Sequence, residues 1–160
     1  MIELRGKAVA DAHKAILQEK VAAVGDSVIT MAVLLVGEDH GGAHMYATFM
    51  EKTAKNFGYG FVLKELPETA TQDEVVTALQ ELNNDAAVHG ILPLMPMPKH
   101  IDTEALIDML DPKKDIDGLT TYNIGLVTAG KGGFAPPCTA KACMAILNHY
   151  DIPVEGGNMW

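Results

Sequence analysis

Apolar residues recur along this chain in two rhythms. Val9, Ala12, Ile16, Val21 and Val24 fall at helical spacing, and Gly25 and Asp26 should end that helix. Val28 to Val36 is a nearly continuous apolar run, the mark of a strand covered on both faces. GEDHGG, residues 37–42, reads as a loop. Residues 43–57 return to helical spacing, with Met45, Phe49 and Ala54 as the expected inner face. Gly58 and Gly60 flank a turn into a strand over Phe61 to Leu66. Thr71 can then cap a helix, and Glu74, three residues on, can complete a capping box. Val75, Val76, Leu79 and Leu82 form its stripe, and Asn83-Asn84-Asp85 ends it. Val88 to Leu92 is a third strand, and Asp102 can cap a short helix carrying Ala105, Leu106, Met109 and Leu110. After a long glycine-rich stretch, Thr139 can cap a last helix with Cys143, Ile146 and Leu147 facing inward. Strands separated by helices predict an α/β fold: a three-layer α-β-α arrangement around an open, mainly parallel sheet.

Composition narrows the class. At 160 residues the chain fits one domain, and its 48% apolar content and mean hydropathy of +0.10 are those of a packed protein. A net charge of −9 with no Lys/Arg cluster argues against a nucleic-acid partner, since Lys52, Lys55 and Lys64 stand apart. One local lysine could still serve an anionic ligand. No apolar run approaches the ~18 residues a membrane helix needs, and no basic start precedes a signal segment, so no membrane partner and a cytoplasmic location are expected. Cys138 and Cys143 lack a paired-ligand set and read as reduced thiols; no metal is expected. His40, His100 and His149 show no metal-ligand spacing with His44 and His89, which read as structural histidines.

Two segments do not follow from periodicity. VHGILPLMPMP, residues 88–98, ends an apolar run in prolines that fix an extended wall with few backbone donors. PKKDIDG, residues 112–118, sets Asp115 and Asp117 beside a glycine. A buried strand feeding a proline wall, with carboxylates close by, points to a small-molecule pocket.

Taken in order, RGKAVA, VGED, the Tyr46 helix, LNNDAAVHGIL, MPMPKHID, DPKKDIDGLTTYNIG, PPCTAKAC and IPVEG cover essentially the whole chain. This series resembles the amino-terminal, folate-binding domain of the bifunctional methylenetetrahydrofolate dehydrogenase/methenyltetrahydrofolate cyclohydrolase family. The resemblance implies a folate-binding catalytic domain over 1–150, then a hinge at 151–160 that starts a missing NAD(P)-binding Rossmann domain. Residues up to Trp160 fit either a genuine terminus or a chain cut at a domain boundary. Gly130, Gly132 and Gly133 lack the strand–turn–helix context of a dinucleotide loop. NADP or NAD is therefore expected in a full-length parent, with none bound tightly by this chain alone and no cofactor-binding residue assigned. The expected partners are a tetrahydrofolate derivative or related pterin, the missing Rossmann domain, and a second copy in a full-length homodimer. A bracing carboxy-terminal helix would also be absent.

By the same resemblance, Tyr46 and Asp117 are the catalytic-site residues: Tyr46 stacks on the folate and Asp117 holds the pterin ring. Without it, Tyr46 would be a half-buried surface tyrosine and Asp117 a loop cap or a partner of Lys113 or Lys114; Asp115 suits that structural role better. Met95, Pro96 and Pro98 correspond to the pocket wall, and Gly118 to a turn that a Cβ would hinder. The departures matter more. The family's general acid/base lysine corresponds to Met50, and the glutamine that orients it to Leu94; both positions belong to the expected substrate-binding set. Glu51 and Lys52 point about 100° and 200° around the helix from residue 50, so neither is an evident substitute, though a register shift would bring Lys52 into play. Ala43 stands at the family's serine, and Ala140 and Ala142 replace a proline and a glycine. Cys138, at a helix start, could carry a lowered thiol pKa, but a structural role is the simpler reading. The expected function is methylenetetrahydrofolate dehydrogenase, with hydride passing to NADP and the methenyltetrahydrofolate cyclohydrolase step weakened or lost. A hydride-transfer enzyme on a related pterin carrier, or a non-catalytic pterin-binding or dimerising relative, would also fit.

Overall fold

A computed structural model describes residues 3–25, 27–37 and 42–156. The expectations for Asp26, for most of the 37–42 loop including His40, and for Trp160 lie outside them. The elements run α1 (Gly6–Ala23), β1 (Thr30–Val36), α2 (Gly42–Asn56), β2 (Gly60–Leu66), α3 (Gln72–Asn84), β3 (Gly90–Pro93), α4 (Thr103–Asp108), α5 (Thr121–Thr128) and α6 (Cys138–His149).

β1 is the centre of the architecture. It pairs in parallel with β2, from Thr30 opposite Gly60 to Val36 opposite Leu66, and with β3, from Met31 opposite Gly90 to Leu34 opposite Pro93. The sheet order is β2-β1-β3. Because successive side chains on a strand point to opposite faces, the apolar run of β1 supplies two cores. Ala32, Leu34 and Val36 pack with Val75, Ala78, Leu79 and Leu82 of α3 and with Leu106 and Leu110. Val33 and Leu35 pack on the other face with Ala47 of α2 and with Leu92 and Leu94. The expected three-layer α/β fold with a parallel sheet is the one observed.

Helix starts follow the capping chemistry read from sequence. Thr71 Oγ1 accepts from the Glu74 N–H at 3.3 Å, and the Glu74 carboxylate accepts from the Thr71 N–H at 2.8 Å. Asp102 caps α4 through the Ala105 N–H at 3.1 Å. At the far end of α3, Lys114 Nζ donates to the carbonyls of Leu82, Asn83 and Asp85 at 2.7–3.0 Å. A cation there satisfies carbonyls that the helix leaves unpaired and meets the negative end of its dipole.

Several expectations need correction. The inner face of α2 is Ala43, Ala47, Met50 and Ala54, whereas Met45 and Phe49 are 73% and 61% exposed. Ala54 lies on the inner face as expected, but Met45 and Phe49 do not: at about 100° per residue the buried face is centred about 150° from them. In α1 only Val9 is buried, and Ile16 is 50% exposed, because α1 lies against α6 and not on the sheet. α6 begins at Cys138 with Pro137 as its N-cap, so Thr139 falls inside the first turn, and Cys143 is exposed. His89 is exposed just before β3, where its ring Nδ1 accepts from the Thr30 N–H at 3.1 Å. The glycine-rich stretch contains α5, capped by Thr120 through the Asn123 N–H at 3.3 Å.

Leu79→Ala should lower unfolding stability by roughly 2–5 kcal/mol, the usual cost of a cavity at a closed core position. Phe49→Ser should change it by about 0.5 kcal/mol or less, as expected of a solvent-facing site. Urea midpoints of the two variants check both the core and the rotation of α2.

Candidate functional site

The strands of an open parallel sheet leave a crevice at their carboxyl ends, and the candidate site lies there. The end of β3 and the residues after it (Leu92, Pro93, Leu94, Met95) form one wall of a cleft of about 360 Å³. The first turns of α2 (Gly42, Ala43, Tyr46) form the second, and Asp117 and Leu119 the third. Tyr46 is 49% exposed, leaving part of its ring free to meet a ligand. Among the described residues lining the cleft, Tyr46 and Asp117 are the only ionisable ones; the rest is apolar surface or backbone.

The sequence-derived residues are therefore partly gathered. Tyr46, Leu94, Met95 and Asp117 meet at the cleft. Met50, one turn after Tyr46, is half-buried and packs against the apolar cluster that holds Leu94, Leu92 and Ala47. Pro96, joined to Met95 by a cis peptide bond, is exposed and outside the lining, while Pro98 is half-buried. Pro93 supplies the wall in their place, and the same proline-ended run contained that signal. Lys52 is exposed and is not part of the lining. His44 turns from the cleft toward β2, with Nε2 3.2 Å from the Glu65 carboxylate.

Asp117 is held by the loop on which it rides. The Asp115 carboxylate is 3% exposed and gathers five donors. Its Oδ1 accepts from the Gly118 and Leu119 N–H groups at 2.9 and 3.1 Å, and its Oδ2 from Thr120 N–H, Thr120 Oγ1 and Asn123 Nδ2, each at 2.9 Å. Burial is the largest single influence on this carboxyl and opposes ionisation. The donors from Asn123, Thr120 and Leu119 together outweigh it and hold the pKa below the ordinary aspartate value. Gly118 has φ +68°, and a Cβ there would stand 2.6 Å from the Ala135 carbonyl oxygen and 2.7 Å from Pro137 N. Only glycine fits that crossing. Cys138 donates its N–H to the Asp117 carbonyl at 3.1 Å, and its thiol to the Ile116 carbonyl at 3.1 Å. Burial and the neighbouring Asp117 carboxylate push the thiol pKa up, opposite to what a nucleophile requires. Among the described residues neither Lys113 nor Lys114 pairs with Asp117; Lys114 is committed to the end of α3.

Residues 4–117 match the family model for the tetrahydrofolate dehydrogenase/cyclohydrolase catalytic domain. The chain belongs to that family. It is 42% identical over 129 residues to the bifunctional protein FolD of Campylobacter concisus, covering 81% of this chain and 45% of that protein. It is 38% identical over 157 residues to FolD of Staphylococcus aureus, covering 97% and 54%. The bifunctional FolD structure from Campylobacter jejuni superposes with a TM-score of 0.85 at 32% identity, over 93% of this chain and 53% of that one. The chain thus spans about half the length of the relatives it matches.

The Trypanosoma brucei methylenetetrahydrofolate dehydrogenase-cyclohydrolase corrects two expectations. It superposes on 91% of this chain, and half of its own, with a TM-score of 0.82 at 29% identity, and was solved in complex with NADP cofactor and inhibitor. The sequence had placed NADP or NAD in a longer parent only, with no tight binding here, and had named a missing Rossmann domain as a partner. A cofactor-bound neighbour that shares this fold removes the basis for both, and neither is kept. The glycine spacing used for the exclusion tests one loop motif and not the ways a fold of this kind meets a dinucleotide. Among the described residues no helix is long and apolar enough to cross a membrane.

Two measurements check the loop. Gly118→Ala should destabilise by more than about 1 kcal/mol, since it adds both a clash and a strained φ. Asp115 has a lowered native pKa, so its contribution is present above the unfolded value near ~3.9 and is lost as pH falls through the native one. The gap in urea midpoint between wild type and Asp115→Asn should therefore be widest near neutrality and close in acid.

Proposed function

We propose that residues 1–150 form the folate-binding domain of a methylenetetrahydrofolate dehydrogenase whose methenyltetrahydrofolate cyclohydrolase step is weakened. One observation carries the reading. Met50 and Leu94, the positions where a lysine and its orienting glutamine would be expected, are both apolar and belong to one apolar cluster, at a cleft that keeps Tyr46 and Asp117. Two apolar side chains in one cluster leave no buried polar group unpaired at these positions.

The remaining residues suit binding and hydride transfer. The Tyr46 ring offers a flat apolar face to a bicyclic pterin. The Asp117 carboxylate presents two acceptors to the adjacent ring N–H and amino donors of that ring, a charge-assisted pair. Leu92, Pro93 and Met95 keep water from the reacting carbon. A bound nicotinamide would supply the acceptor for the hydride that leaves the methylene carbon between two folate nitrogens. Positioning and a negative local field serve that step, because positive charge grows on the folate as the hydride departs. The cleft's apolar lining suits a pterin ring. Hydrolysis of the methenyl product adds water to the same carbon and opens the ring to the formyl form. It requires proton transfers, and Met50 has no transferable proton.

In the full-length gene product, methenyl hydrolysis should be slow relative to hydride transfer. Met50→Lys alone would set an ammonium against Leu94, where desolvation lowers its pKa with no hydrogen bond to aim it. Combined with Leu94→Gln, it should restore more hydrolysis than the two single changes together, in a double-mutant cycle with separate assays for the two reactions. Unmodified protein that hydrolyses the methenyl form as fast as it transfers hydride would refute the proposal. Asp117→Asn should weaken reduced-folate binding by about tenfold, since one acceptor becomes a donor facing donors; calorimetry reads this directly.

A further inference from the structure

We propose that Asn123 is a positioning residue for the folate site: it aims Asp117 without touching the ligand. Asn123 is 0% exposed and sits in the first turn of α5, away from the cleft lining. Its amide nitrogen donates twice, to the Pro112 carbonyl and to Asp115 Oδ2, both at 2.9 Å. Its amide oxygen accepts from the Phe134 N–H at 3.2 Å. One side chain therefore ties both the 112–115 turn and residue 134 to the start of α5.

Two of those links end at Asp117. Along the first, Asn123 completes the donor set of Asp115, and the same carboxylate binds the Gly118 and Leu119 N–H groups. The loop thus wraps around Asp115 and leaves Asp117 at its crown. Along the second, the Phe134 bond anchors the segment that crosses Gly118 through Ala135 and Pro137, and Cys138 then donates to the Asp117 carbonyl at 3.1 Å. Asp117 is clamped from both sides, and Asn123 is the group common to both clamps. The pairing specifically fixes a residue whose side chain faces the cleft.

The inference rests on the folate reading above, and its test separates the two. Full-length wild type and Asn123→Ser are titrated with 5-formyltetrahydrofolate and with its 2-desamino-2-methyl analogue, which lacks the amino donor facing Asp117. Asn123→Ser should weaken the first by about tenfold and the second by about threefold or less, because only the first depends fully on the aim of Asp117. In an Asp117→Asn background, Asn123→Ser should add no further loss. If Asn123→Ser fails to fold, Thr120→Val, which removes one donor from Asp115 together with the α5 cap, should show the same ligand dependence at smaller size. Equal weakening of both ligands, or additive losses with Asp117→Asn, would overturn the positioning role while leaving the folate reading intact. Wild type that binds neither ligand would overturn both.

Discussion

A buried carboxylate that pairs with no cation among the described residues is the constraint on which this site depends. Asp115 lies where the chain leaves the sheet, bridged in parallel to Ile91 of β3. It stays ionised there only because backbone and side-chain donors converge on it. Those donors come from residues 118–120 and from Asn123, so satisfying one charge fixes the path of the loop and the start of α5 together. The ionised group and the glycine crossing at 118 fold the segment into a form that apolar packing alone would not specify. Among the described residues no buried side-chain polar atom lacks a partner, which extends the same economy to the rest of the core.

Around that constraint the sheet does simpler work. β1 feeds both cores, α2 supplies Tyr46 to the cleft and Met50 to the apolar cluster, and β3 ends in the wall that carries Pro93 and Leu94. Two of the cleft's three sides are thus set by regular elements whose burial is strong. The third, with Asp117, is set by polar bonds.

This division explains what could be read in the sequence. The strands, the Thr71–Glu74 box and the Asp102 cap were legible because each depends on residues close in sequence. Tyr46, Leu94 and Asp117 were found through ordered motifs, and their meeting at one cleft follows from the parallel crossovers. The face of α2 was misread because alanines, weak signals of burial, lie against the sheet while Met45 and Phe49 point to solvent. α5 was missed because its threonines and asparagine are poor helix formers, and its stability comes from caps and from the Asp115 network. Asn123 left no periodic trace; a threonine followed three residues later by asparagine was the one local hint.

The central placement of β1 also governs the order in which the fold can assemble. Its partners begin near residues 60 and 90, so each pairing must close a long loop before it gains a hydrogen bond. A parallel neighbour cannot be reached by a tight turn, which makes α2 and α3 the vehicles that return the chain to the sheet. The β1–β2 pairing closes over the shorter span. The cleft needs β3 and the loop beyond it, so the binding surface is completed only when the longest-range contacts have formed, and slow topological search precedes any affinity for ligand.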